Sequence, residues 1–213
     1  MEKDQLSGTD SIRIIEQMIG RAKEEEIDNG IGWVIWGWML FLASIINYVM
    51  IVMDAPNKYI IWNIFGIAAL VFVVYSMFVK QFFITPKKPR VKTYTNELVN
   101  RMGIAFFISL LVMVLGNYLS GANQTGVNFG YLLLLYGFWM YIHGSAFRFN
   151  LLKAGAYVNW AGALIIFLWY QELGKNILLV HAVCVALGYI IPGHIAQRRF
   201  GMANRPIDNS TEL

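Results

Sequence analysis

The sequence predicts an all-α membrane protein with six transmembrane helices in three hairpins and both termini cytoplasmic. Three observations carry that reading. First, 57% of the 213 residues are hydrophobic and only 14% are charged, so a soluble domain of this size would lack the polar surface to cover them. Second, the apolar residues are clumped into residues 31–53, 60–79, 102–119, 129–147, 151–170 and 177–196. These runs hold no Asp, Glu or Arg and a single Lys, Lys153, near the start of the fifth. Each is close to the roughly 20 residues that span a hydrocarbon core of about 30 Å, where backbone groups must be satisfied within the element. Third, fifteen of the 17 Lys and Arg residues fall on one side of that arrangement, and only Lys58 and Lys175 fall on the other. Cytoplasmic loops carry the excess of basic residues. The protein is therefore expected to be multi-pass in the inner (plasma) membrane.

Residues 1–30 are polar, so the first apolar run, rather than a cleavable leader, is the expected signal anchor. Within them, Ile12, Ile15, Met18, Ile19 and Ala22 recur at helical spacing, with Asp10 or Ser11 available as N-cap. This predicts an amphipathic cytoplasmic helix over residues 10–28, lying on headgroups or on the bundle. The sharper alternative is a docking surface for a cytoplasmic protein partner. Glu24, Glu25, Glu26 and Asp28 form an acidic linker, and the loop 80–101 is basic. Their opposite charges suggest mutual docking, although such exposed pairs contribute at most about 1 kcal/mol each. The bundle proper is expected over 31–197, followed by a polar tail over 198–213.

Small residues recur every seven positions. Gly30, Gly37 and Ser44 mark the first helix, Gly130, Gly137 and Gly144 the fourth, and Gly155 and Gly162 the fifth. Seven steps of about 100° return to within about 20° of the start, so each set lines one face. Faces of small residues let helices pack closely in lipid, within the chain or in a homo-oligomer. Trp36-Gly37-Trp38-x-x-Phe41 also parallels Tyr136-Gly137-Phe138-x-x-Tyr141, and Asn63-x-x-Gly66 parallels Asn159-x-x-Gly162. A weak 3+3 inverted repeat, as in many transporters, would produce such matches.

The stretches NGIGWVIWGWMLFLAS, RVKTYTNELVNRMGIAF, YGFWMYIHGSAFRFNLLKAGAYVNW and GYIIPGHIAQRRF together resemble a widespread group of small bacterial six-helix membrane proteins. The likeness covers most of the chain. That group carries no assigned activity, so the resemblance implies the fold and supplies no catalytic or binding residue.

Polar residues fall into two depth groups. Near the inner face lie Trp33, Trp36, His143, Arg148, Asn150, Lys153, His194, Arg198 and Arg199, and in the outer half Asn47, Asn63, Asn117, Glu172 and His181. Snorkelling side chains and an aromatic belt at the membrane boundary explain the inner group first. The functional alternative is a pocket of His143, Arg148, Asn150, His194 and Trp36 that binds an anionic lipid headgroup or small solute. His143 and His194 also raise haem ligation. With only three histidines no second matched pair exists, and no cofactor is expected. The single Cys184 cannot form an intrachain disulfide.

An intramembrane serine protease would need its Ser and His within hydrogen-bond reach. Ser145 and His181 are expected at opposite depths, and the nearer His194 offers only weak support at an interface. Coupled transport usually needs a deep ionisable group, and here only the histidines qualify. The net charge of +4 follows from the topology bias and does not indicate nucleic-acid binding. Binding or passage of a small solute or lipid is the leading expectation, recruitment of a cytoplasmic partner the second, and enzyme activity the third.

Overall fold

The computed structural model describes residue 12 and residues 30–58, 60–74, 94–119 and 125–203. The rest of the expected N-terminal helix, most of the basic loop and the tail beyond Ala203 lie outside the described residues. So does the question of whether the acidic linker docks on that loop. No strand occurs among the described residues. The helices are α1 (Ile31–Val52), α2 (Ile60–Val74), α3 (Tyr94–Leu119), α4 (Thr125–Ala146), α5 (Asn150–Leu173), α6 (Ile177–Val185) and α7 (Ile191–Ala203). A 3-10 turn, Gly174–Asn176, joins α5 to α6, and a π-helical turn, Ala186–Ile190, carries α6 into α7.

Three stretches are long and apolar enough to cross a membrane: Ile31–Val52 with 22 residues, Glu97–Gly116 with 20 and Asn150–Met202 with 53. The longest folds back on itself at Gly174, where φ is 48°. Gly162 lies against Cys184, and Gly155 against Gly188, so its two arms run antiparallel. The protein is a helical membrane protein.

The distribution of exposure fits lipid. On α1, Ile31, Ile35, Trp38, Leu42, Ile46 and Val49 are exposed at spacings of three and four, while Trp33, Gly37, Leu40, Ser44 and Asn47 are buried. An apolar stripe of that length would be a liability in water. In a bilayer it is the solvated face.

The α6–α7 segment lies at the centre of the packing. Ile177, Leu178, His181, Cys184, Val185 and Tyr189 are all buried, and backbones approach them from two sides. A Cβ on Gly37 would lie 2.8 Å from Tyr189 Cβ, and one on Gly193 would lie 2.9 Å from the Val34 backbone nitrogen. From the other side, a Cβ on Gly155 would lie 2.9 Å from Gly188 Cα. Gly30 is doubly constrained, with φ at 70° and space for a Cβ closed by Gly193 O at 2.5 Å.

The remaining glycine face joins α4 to α5. Gly130 meets Phe167, Gly137 meets Trp160, and Gly144 meets the stem of Lys153. Gly37, Gly130, Gly137, Gly144, Gly155 and Gly162 are thus all buried against neighbours within one chain, and these faces are not free to pair with a second copy.

The π turn has a local cause. Pro192 has no N–H to return to the Gly188 carbonyl, so the α pattern cannot continue there. Ile191 N–H instead bonds Ala186 O, five residues back, which is the signature of a π turn.

Replacing Gly155 by Leu is expected to lower stability in detergent by about 1–3 kcal/mol, because overpacking here must displace opposing backbone. Leu164→Ala, at a lipid-facing position on the same helix, is the control. Equal losses in thermal unfolding at both positions would contradict a special role for the glycine contact.

Candidate functional site

The inner polar group is not assembled into a pocket by the described contacts. His194 on α7, Arg148 in the α4–α5 turn and Asn150 at the start of α5 are all exposed. Arg148 adopts φ 53° in a tight turn in which Phe149 N–H bonds Gly144 O at 2.7 Å. His143 is half-buried among the rings of Trp33, Trp139 and Phe147, with centroids 4.9, 5.6 and 4.5 Å away. Trp36 lies elsewhere, between Phe65 of α2 and Phe107 of α3. The cation that reaches the α4–α5 turn is Arg199, 5.4 Å over the Phe149 ring. Three of the five residues are thus exposed, and the described ring contacts of His143 and Trp36 do not join them to each other. Ser145, like His194, is exposed.

The buried polar chemistry is in the opposite half. Ser44 and Asn47, one turn apart on α1, are fully buried, as is His181 on α6. Ser44 Oγ lies 2.8 Å from Leu40 O and 2.7 Å from His181 Nδ1. A hydroxyl has one proton, and a carbonyl can only accept. Both contacts are hydrogen bonds when Ser44 donates to Leu40 O and the imidazole donates from Nδ1–H to Ser44 Oγ. That tautomer, assigned from the network, leaves Nε2 as an acceptor, and it has no partner among the described residues. Rings of Phe129, Trp62 and Tyr136 surround the imidazole, with centroids at 5.2, 5.7 and 6.0 Å.

Asn47 anchors the next layer. Its Nδ2 donates to Lys58 O, and its Oδ1 accepts from Trp62 Nε1 at 3.1 Å. The amide thus ties α1 to α2 and to the turn between them. In that turn Lys58 pairs with Asp54. The hydrogen bond from Lys58, and then its charge, hold the exposed Asp54 carboxyl below its usual range. A depressed carboxylate keeps its pairing at neutral pH and loses it as pH falls through the lowered value.

Above this layer lies a cavity of about 320 Å³, lined by Asn47, Ile51, Val127, Phe129, Ile177 and Leu178, with Tyr170 and Lys175 among the residues at its exposed rim. Phe129 both lines this vestibule and touches the His181 ring. His181 is therefore one side-chain layer beneath an opening where the ends of α1, α4, α5 and α6 meet.

The Ser44–His181 distance would suit a nucleophile and base. The hydroxyl proton is committed to Leu40 O, however, and neither the contacts of Ser44 nor those of His181 include a carboxylate. Ser44 also sits inside a continuous helix whose N–H groups are already bonded, which leaves no oxyanion donors. The pair is better suited to binding than to hydrolysis. No group of three metal-ligating side chains occurs among the described residues.

Sequence reasoning placed Asn47 and His181 in the outer half without joining them, and it treated Ser44 only as a small residue. The available signal was the spacing of Ser44 and Asn47, which places two polar groups on one buried face of α1.

Trp62→Phe, which removes only the donor to Asn47 Oδ1, is expected to destabilise by about 1–3 kcal/mol, the cost of an unsatisfied buried acceptor. Trp38→Phe, on the lipid-facing stripe, should stay within about 0.5 kcal/mol, and chemical unfolding in detergent compares the two. Comparison with protein-family models, curated proteins and solved structures gives no match, so the functional reading rests on this geometry.

Proposed function

We propose that the protein is a six-span plasma-membrane protein, N-in and C-in, that binds a small molecule in the vestibule above His181. The observation that carries this reading is a fully buried imidazole whose Nε2 has no described partner, set directly below an open cavity. Ligand sites are typically concave, mostly apolar and supplied with a few placed polar groups. Ile51, Val127, Phe129, Ile177 and Leu178 provide the apolar wall, and Tyr170 and Lys175 provide polar groups at the mouth. A molecule with an apolar body and one polar or anionic end fits that division, whether a free solute or a lipid. Lys58, the other cation expected on that side, is already paired with Asp54, which leaves Lys175 to receive an anionic end.

The orientation is supported by the basic-residue asymmetry together with the antiparallel hairpin of α5 and α6. It places the vestibule at the external face. Reporter fusions after Pro56 and Gly174 are expected to read external, and fusions after Pro89 or at Leu213 cytoplasmic. An external C-terminus would overturn the topology.

Ligand binding has its own test. Val127→Trp fills the vestibule without touching the Ser44–His181 pair. Mass spectrometry of the purified protein is expected to find a co-purifying small molecule or lipid that this variant loses. Identical bound species in both preparations would overturn the vestibule as a binding site.

A further inference from the structure

Below the vestibule the polar groups continue among fully buried residues. His181, Tyr136 and Tyr189 are each at most 1% exposed. They touch in series, with Tyr136 6.0 Å from His181 and Tyr189 5.7 Å from Tyr136, centroid to centroid. Trp33 follows 5.4 Å from Tyr189, and His143 4.9 Å from Trp33. Leu40, Leu133 and Met140, all fully buried, belong to the same packed cluster. From Ser44 to Trp33 the α1 helix covers about 16 Å. The vestibule covers the remaining part, from Asn47 outward. Together they run from one end of the bundle to the other.

His181 Nε2, Tyr136 OH and Tyr189 OH have no hydrogen-bond partner among the described residues. Buried polar atoms in native cores are nearly always paired, because each unpaired one forfeits its hydration. Three of them on successively touching rings point to a shared small partner. Water fits, since it needs little volume and two to four polar neighbours. A larger solute does not fit the close packing.

Among the described residues, the groups facing His181 are Ser44 from α1, Trp62 from α2, and Phe129 and Tyr136 from α4. None carries a formal charge, so nothing there would hold a resident ion. A proton moving along hydrogen bonds needs neither an open pore nor a fixed counter-charge.

We propose that His181, Tyr136 and Tyr189, bridged by internal water, form a proton path from the vestibule toward the Trp33–His143 end of the bundle. Hydronium in the vestibule gives a proton to the Nε2 lone pair or to the first bridging water. Each tyrosine hydroxyl accepts a proton on a lone pair as it releases its own to the next water. Nothing is oxidised or reduced, and rotation of the hydroxyls and waters resets the chain. Because Ser44 holds Nδ1, a proton that arrives at Nε2 also departs from Nε2. The imidazole is a waiting point, and the hydroxyls are the relay.

The path does not depend on the vestibule ligand, which the mass-spectrometric comparison scores separately. The full chain is reconstituted in phosphatidylcholine–phosphatidylglycerol vesicles containing a pH-sensitive dye, and a potassium diffusion potential drives protons inward. Lumenal acidification is expected to exceed that of protein-free vesicles. Tyr136→Phe and Tyr189→Phe are each expected to slow it on the order of a hundredfold, the scale of losing a positioned proton-transfer group. These variants keep ring packing and remove only a water-bridged hydroxyl, so thermal unfolding should stay close to wild type, and a marked rise would indicate a dry, unpaired hydroxyl and count against the path. Wild-type vesicles no faster than empty ones, or wild-type rates in both Tyr→Phe variants, would overturn the proposal.

Discussion

The structure depends on how closely α6 and α7 can approach their neighbours. Inside a bilayer no water is expelled when two apolar helices meet, so association depends on contact and hydrogen bonding. Gly37 and Gly193 bring α1 to the central segment, and Gly155 brings α5 to it through Gly188. At these spacings backbone meets backbone or Cβ, and the larger side chains beside each glycine interdigitate. Asn159 contributes from within the same contact, with its Nδ2 bonded to Gly155 O at 2.8 Å. Close approach also seals the polar interior. Ser44 reaches His181 at 2.7 Å one to two turns beyond the point where Gly37 holds α1 against Tyr189 and Ile190.

The same constraint explains the unequal roles of the helices. The α4–α5 hairpin carries the other glycine face and a ladder of aromatic contacts that includes Tyr141, Tyr157 and Trp160. Trp62 of α2 packs against the imidazole and Phe129, while Phe106 and Phe107 of α3 pack against Trp139, Tyr136 and Trp36. Rings make most of the described contacts of these two helices, including Trp139 seated over Gly103 of α3. Aromatic contacts tolerate more variation in distance than a glycine face, and the site's hydrogen bonds accordingly come from α1 and α6, with α2 adding only the indole of Trp62.

What the sequence made legible follows from the range of each interaction. Apolar runs are long and their cause is the bilayer, so every described helix falls on an expected run or overlaps one. The seven-residue glycine spacing identified faces because steric fit depends on rotation about a single helix. The site was less legible because it requires relative rotation between helices distant in sequence. Ser44 and His181 are 137 positions apart, and nothing local sets their facing. The arrangement of the inner group was illegible for a related reason. His143, Arg148, Asn150 and His194 share a depth, but depth leaves azimuth undetermined, and Arg148 is exposed in a left-handed turn.

The π-helical turn has a bearing on how this chain tolerates change in length. A π turn holds one residue more than the α repeat requires, so the excess between Ala186 and Ile190 behaves as a stored insertion. Losing one residue there would tighten the turn toward α spacing, with the bond that Pro192 cannot donate still missing. A widened turn takes up its extra residue with almost no added rotation, so everything beyond would keep its facing and Gly193 would stay against Val34 and Gly30. Loss of one residue at this point is thus cheap for the bundle, whereas the same loss in the regular turns of α6 or α7 would rotate α7 by about 100° against α1.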